Sequence, residues 1–300
     1  MTTAPSAAAA ADSRFQPKLA RRRYAGTAFL GACLLAITIL LLALVLLLFD
    51  VLTKGLPYLD VDFLTGVPSR IPARAGILPA LVGSLEIGLI VGVLTFPIGI
   101  SAAIYLTEYA PDNVLTRLLQ VNISNLAGVP SIIYGIFGLA LFVRTLQLGY
   151  SLLAGALTLT LLILPVVIIA SMEALRAVPD TQREAAYALG ATRWQMVRGS
   201  VLPAAGPGIL TGIILAMSRA IGETAPLILV GAVTFVTFLP TPLQNGYTVL
   251  PIQVYQWATR PQQDFQAIAA AAIIVVLALM LVLNLLALIV RARLAKHVNW

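Results

Sequence analysis

LAMSRAIGETAPLILVG, residues 215–231, sets two full charges, Arg219 and Glu223, inside a stretch that is otherwise apolar. How this stretch is divided decides how often the chain crosses a membrane. Charge-free runs cover 27–49, 87–107, 118–143, 145–172, 199–218, 224–259 and 265–290, and each reaches the roughly 20 residues that span a bilayer. A loop between the fifth and sixth runs would have to fit between Arg219 and Glu223, which leaves no room for one. Residues 205–232 therefore read as one helix carrying both charges. Residues 233–264, with LPTPLQNGYTVLP and RPQQDF, then read as an external loop bearing Pro, Gln and Asn. The expected fold is an all-α membrane protein with six transmembrane helices.

Composition demands a lipid solvent. Of 300 residues, 60% are hydrophobic and 10% charged, with a mean hydropathy of +0.96; soluble domains carry about 25% charged residues. Such a chain can bury only part of its apolar surface against itself, which excludes a soluble globular protein. One cysteine, Cys33, and one histidine, His297, leave no intrachain disulfide and no His/Cys metal cluster, so no metal site is expected. The net charge of +7 fits lysine and arginine held on one membrane face better than nucleic acid.

With six spans both termini share a side. Arg14, Lys18, Arg21, Arg22, Arg23, Arg117, Arg176, Arg183, Arg193, Arg198, Arg291, Arg293 and Lys296 fall there. Lys54, Arg70, Arg74, Arg144 and Arg260 fall opposite. A seventh span would move the last three cations of the first group outside, so the positive-inside rule selects six spans with cytoplasmic termini. The expected boundaries are a basic low-complexity tail at 1–26, a first helix at 27–49 and an external loop at 50–77. A core of five helices at 78–290 and a cytoplasmic tail at 291–300 follow. The first apolar run is too long for a signal-peptide core, and no A-x-A site follows it.

Residues 172–203, MEALRAVPDTQREAAYALGATRWQMVRGSVLP, form a cytoplasmic connection far longer than the 2–8 residues a bundle needs. Thr181 and Glu184 are spaced as a capping box after Pro179, the alanines favour helix, and Gly190 is placed to end it. A second short helix is expected from about Arg193 to Arg198, before Pro203 opens the next span. Two readings follow from the residues. One is an amphipathic hairpin on anionic lipid with Trp194 at the interface; the other is an exposed helix that docks into a partner's groove. No ATP site is present, because Lys18, Lys54 and Lys296 follow Pro17, Thr53 and Ala295, so none sits in the Gly-Lys-Ser/Thr context of a P-loop.

The spacing of Glu184-Ala185-Ala186, Gly190 and Leu202-Pro203 resembles the EAA loop of ABC importer permeases, with Ser200 where that pattern has isoleucine. LAGVPSIIYGIFGLALF (126–142) and MSRAIGETAPLILVGA (217–232) resemble the third and fifth helices of phosphate permeases of the PstA type. LGATRWQMV and VLPAAGPGILTGIILA extend that likeness over most of 78–232. The resemblance implies a type I ABC importer permease with several partners. These are a second, PstC-like permease, a PstB-like dimer that uses ATP and magnesium, and a periplasmic or lipid-anchored PstS-like phosphate-binding protein. It implies an ATPase-coupling loop of Glu184, Ala185, Ala186, Gly190, Arg193 and Pro203, and no cofactor bound by this chain.

An arginine at a helix centre costs about 2.5–3.5 kcal/mol on insertion scales. Arg219 and Glu223 lie four apart and can pair on one helix face. They are either a self-neutralising structural pair or a waypoint for an anion. In the second case the guanidinium offers a planar fork to phosphate-type oxygens. Glu223 holds that fork and accepts a hydrogen bond from a protonated oxyanion, which phosphate supplies and sulfate does not. On the 126–142 stretch Ser131 and Tyr134 share a face, and either line a pathway or bond to neighbouring helices. The expected substrate pathway is Arg219, Glu223, Ser131, Tyr134, Ser218 and Thr224, with no catalytic residue. The expected function is phosphate import by alternating access. Import of molybdate or sulfate, and a membrane scaffold or sensor that transports nothing, are the alternatives.

Overall fold

The computed structural model describes residues 19–232, 235–241 and 246–295, with side chains from 23 to 293. The sequence features placed at Arg14, Lys18, Lys296 and His297 lie outside these residues. The chain divides into two units, Met1–Asp50 and Val51–Trp300. The first holds most of helix α1 (Leu19–Gly55), which starts before residue 27 and presents Leu, Ile and Val on every side between 29 and 48. An unbroken apolar surface of this kind is what a helix surrounded by lipid or other helices requires.

The second unit is built on α6 (Leu152–Arg176), which packs against α3 (Leu78–Ile104) and α9 (Leu202–Gly222). Small residues set the close approach: a Cβ on Gly212 of α9 would collide with the Ala170 side chain of α6. Ile163, Val167, Ala216 and Leu175 are completely buried in this core. Helix α12 (Gln263–Ala295) lies along α9. Pro97 and Pro165 sit inside α3 and α6 without ending either helix.

Two expected spans are broken. Residues 118–143 form α4 (Val114–Ala127) and α5 (Ser131–Gly138), bent by 99° at Gly128–Pro130. Pro130 caps the start of α5; a proline lacks an N–H, and it pushes the residue before it out of helical conformation. Residues 205–232 likewise form α9 and a short α10 (Ala225–Leu229) rather than one helix. Glu223 is extended, with φ −72° and ψ 128°, and Pro226 lies in the first turn of α10. Among the described residues five helices are long and apolar enough to cross a membrane, or six if the α4–α5 pair counts as one bent span.

The segment expected as an external loop at 233–264 carries a helix, α11 (Leu250–Ala258). It is folded onto the bundle: the Leu250 N–H donates to Ser84 Oγ of α3 at 2.8 Å. Trp257 is fully buried with its ring 6.0 Å from that of Phe63 on α2 (Val61–Thr65). Its apolar residues serve a second core with Ile77 and Phe265, which the Pro, Gln and Asn around them concealed.

Between α6 and α9 lie α7 (Asp180–Ala188) and α8 (Arg193–Met196). Helix α8 runs through a widened, π-helical turn at Val197–Val201 into α9, so the second short helix is the start of the span itself. The α7 start differs from expectation. Pro179 occupies the N-cap without a side-chain bond, because its ring carries no hydrogen-bonding atom. Thr181 is inside the helix, and the capping box forms instead between Thr192 and Gln195.

Candidate functional site

The α9–α10 break carries the charged pair. Arg219 is in the last turn of α9 and Glu223 is the residue that leaves it. Arg219 Nε donates to Glu223 Oε1 at 3.1 Å, with the arginine side chain 48% exposed and the glutamate 17%. On α9, Ala205, Ile209, Ile213, Ala216 and Ala220 are buried, whereas Leu215, Arg219 and Gly222 form an exposed stripe at helical spacing. The guanidinium is therefore aimed away from the chain's own core. Among the described residues it keeps donors free beyond the one bond to Glu223, and a planar fork of donors is the arrangement that receives two oxygens of an oxyanion.

The α4–α5 elbow adjoins this break through α5 and α10. A Cβ on Gly135 would stand 2.7 Å from Pro226 Cα, so only glycine lets the two helices touch there. Ser131 opens α5 and is half-buried. The Tyr134 hydroxyl donates to the Leu126 carbonyl at 2.8 Å, which ties α5 to the last turn of α4 across the bend. Thr224 Oγ1 donates to the Gly222 carbonyl at 3.4 Å, inside the break itself. Ser218 faces elsewhere. It lines an apolar cavity of about 560 Å³ between α3, α9 and α12. Its hydroxyl there lies between the Ile214 carbonyl and Asn284 Oδ1. The structure thus joins Arg219 to Glu223, places Thr224 beside them, and separates Ser218 from them onto another face of α9.

The second site is the α7–α8 loop. Gly190, at φ +80°, ends α7. Its N–H reaches the Tyr187 carbonyl and the Ala191 N–H reaches the Ala186 carbonyl, a pairing that needs a left-handed residue at the glycine position. Glu184, Ala185 and Gly190 are exposed, while Ala186 packs inward against the core. Pro203 stands in the first turn of α9. Leu189 is 90% exposed, with Tyr187 and Trp194 each about half exposed. A leucine so exposed at a loop tip presents apolar area that water does not favour. In the sequence Leu189 and Tyr187 read only as the apolar side of an amphipathic helix.

Arg183, also on α7, is held inward. Its Nη2 and Nε donate to Glu108 Oε1 and Oε2 at 2.8 and 3.3 Å. Its Nη1 reaches the Val178 carbonyl at 2.7 Å and Asp180 at 3.1 Å, and Nη2 also reaches the Leu175 carbonyl at 3.0 Å. Hydrogen bonding to Glu108 pushes the guanidinium pKa further above its already high value, against the opposing effect of burial. Arg193 lies with its guanidinium 5.4 Å from the centre of the Tyr109 ring. Neither contact was legible in the sequence, since Glu108 stands 75 residues from Arg183 and no spacing rule reaches that far.

The family described as "Binding-protein-dependent transport system inner membrane component" matches residues 95–296. The chain belongs to this family. It is a permease, a multi-pass protein of the inner membrane. The permease is 34% identical over 273 residues to the probable ABC transporter permease protein YqgI of Bacillus subtilis, covering 87% of this chain and 92% of that protein. It is 35% identical over 255 residues to the phosphate transport system permease protein PstA of Yersinia pestis, covering 85% of each. Among solved structures, a bacterial alginate ABC transporter with its alginate-bound periplasmic protein matches at TM-score 0.63 and 18% identity. That match covers 89% of the permease and 93% of the other chain. The MetNI methionine transporter in an inward-facing form matches at TM-score 0.58 and 23% identity, covering 75% and 96%. These two carry the fold.

Proposed function

We propose that this permease is one of two unlike membrane subunits of an ATP-driven importer of inorganic phosphate. The observation that carries the reading is the Arg219–Glu223 pair at the α9–α10 break, its guanidinium half-exposed on a face that the chain's own core leaves open. Arriving phosphate takes the free donors of Arg219, and its remaining O–H donates to Glu223. Sulfate brings only acceptors and meets an unanswered carboxylate. The printed function of the Yersinia relative, and others like it at 35% identity, supports phosphate as the cargo. The second permease is PstC-like, the phosphate-binding protein PstS-like, and the ATPase dimer PstB-like, using ATP and magnesium. Both termini and the α7–α8 loop lie on the cytoplasmic side. The tip formed by Glu184, Ala185, Tyr187, Leu189 and Gly190 seats in the ATPase, whose closure on ATP swings the membrane helices.

The test is ATP hydrolysis by the complete complex in proteoliposomes, with sulfate and molybdate as competitors. Phosphate with its binding protein is expected to stimulate hydrolysis and uptake, and the two competitors to do neither. Arg219→Gln removes charge-assisted hydrogen bonds of about 1.5–3 kcal/mol and is expected to cut uptake on the order of tenfold to a hundredfold. Normal uptake by Arg219→Gln refutes the waypoint, and stimulation by molybdate or sulfate in place of phosphate refutes the cargo.

A further inference from the structure

The end of α3 is a widened turn. The segment Tyr105–Tyr109 is π-helical, closed by an Ala110 N–H to Tyr105 carbonyl bond of 2.8 Å. Turns of this kind concentrate at functional positions, because the inserted residue re-aims the side chains after it. Here the re-aimed side chains are Glu108 and Tyr109, and they meet different parts of one loop. Glu108 takes the bidentate fork of Arg183 on α7, and Tyr109 lies under the guanidinium of Arg193 on α8.

The Arg183–Glu108 pair is not a surface ion pair. Its side chains are 17% and 5% exposed, against 49% and 66% for Arg176–Glu173 and 75% and 91% for Arg117–Asp112. Arg183 also binds the Leu175 carbonyl at the end of α6 and the Val178 carbonyl beyond it. One guanidinium therefore fastens α7 to α3 and α6 together. Partners this buried and this fully bonded move as one body, because parting them leaves desolvated charge behind.

We propose that Arg183 is a positioning residue for energy coupling, and that the Glu108–Tyr109 turn at the end of α3 is the seat through which the α7–α8 loop drives the membrane helices. This rests on the reading that the loop docks an ATPase. The exposed tip of α7 receives the push, and Arg183 delivers it to α3 and α6. Arg183 itself is turned away from any docking partner.

Two variants and two readouts test it. In the reconstituted complex, Arg183→Met and Glu108→Gln are expected to retain the ATPase subunit and basal hydrolysis within about twofold. The ratio of phosphate moved to ATP hydrolysed is expected to fall about tenfold, in the range of coupling energies carried through packed networks. Arg183→Lys keeps one charged contact without the fork and is expected to recover part of that ratio. Hydrogen exchange on the permease complex without nucleotide is the second readout. Arg183→Met is expected to expose the amides of Asp180–Ala188 while those in the middle of α6 stay protected. An unchanged transport ratio in both variants overturns the proposal, and so does loss of the ATPase subunit from Arg183→Met, which would make the residue part of the docking surface. Wild-type exchange across α7 in that variant overturns it too. Should the complex carry another anion, the ratio is read with that anion: the cargo assignment then fails while the strut is still judged by its own outcomes.

Discussion

Gly190 allows backbone conformation and side-chain bulk to be separated at the loop tip. Its φ is +80°, and a Cβ added there would meet no atom within 4 Å. An alanine at this position has room but the wrong backbone preference. The left-handed conformation costs a non-glycine residue about 1–2 kcal/mol, and 1.4 kcal/mol is a factor of about ten. The ratio of loops holding the docking turn to loops that have lost it then falls about 5- to 30-fold, and the apparent Kd rises by up to the same factor. Asparagine tolerates this region, so Gly190→Asn is expected to weaken binding less than Gly190→Ala. Gly190→Arg adds bulk and charge to the strain and is expected to abolish binding. Calorimetric titration of the ATPase dimer against the permease pair in nanodiscs measures the series. Wild-type affinity in Gly190→Ala refutes the need for the turn. Weaker binding by Asn than by Ala refutes backbone conformation as the deciding term.

Gly135→Leu places atoms against the Pro226 backbone, with a Cβ 2.7 Å from its Cα, and a backbone atom cannot rotate aside. Overpacking of this kind costs about 1–3 kcal/mol, expected as a lower Tm in detergent. Gly128→Ala meets only the Asn125 carbonyl at 3.4 Å and serves as the mild control; equal Tm values for the two refute the α5–α10 contact. Glu223→Gln keeps the shape that braces Arg219 and removes the negative charge. Competition by sulfate against phosphate uptake is expected to rise about tenfold, which corresponds to about 1.4 kcal/mol, the net worth of one hydrogen bond; no change refutes the selectivity role of Glu223.

The helical, lipid-facing character of the chain was fully legible, because it depends only on where apolar residues run without charge. The breaks were not. Pro130 and Pro226 lie in runs that hydropathy counts as continuous, and Pro97 and Pro165 sit in similar runs without ending them. What separates the two outcomes is tertiary: the broken ends of α5 and α10 pack on each other, whereas α3 and α6 are straddled by neighbours along their length. Of the candidate pathway residues, Arg219 and Glu223 pair as their spacing implied, even though the helix ends between them. Ser218 does not join them, because a shift of one residue turns a helical side chain by about 100° and so into the α12 contact.

Ser218 and Asn284 meet inside a cavity walled by Met217, Ile221, Met280 and Leu283. They act as a notch in grease. Sliding α12 along α9 by one turn, about 5.4 Å, would leave Ser218 its Ile214 carbonyl but strand the Asn284 amide among hydrocarbon, at a cost of about 1–3 kcal/mol. The two helices are thereby keyed in register, and any tilt that opens the permease to one side must carry them as a single lever arm.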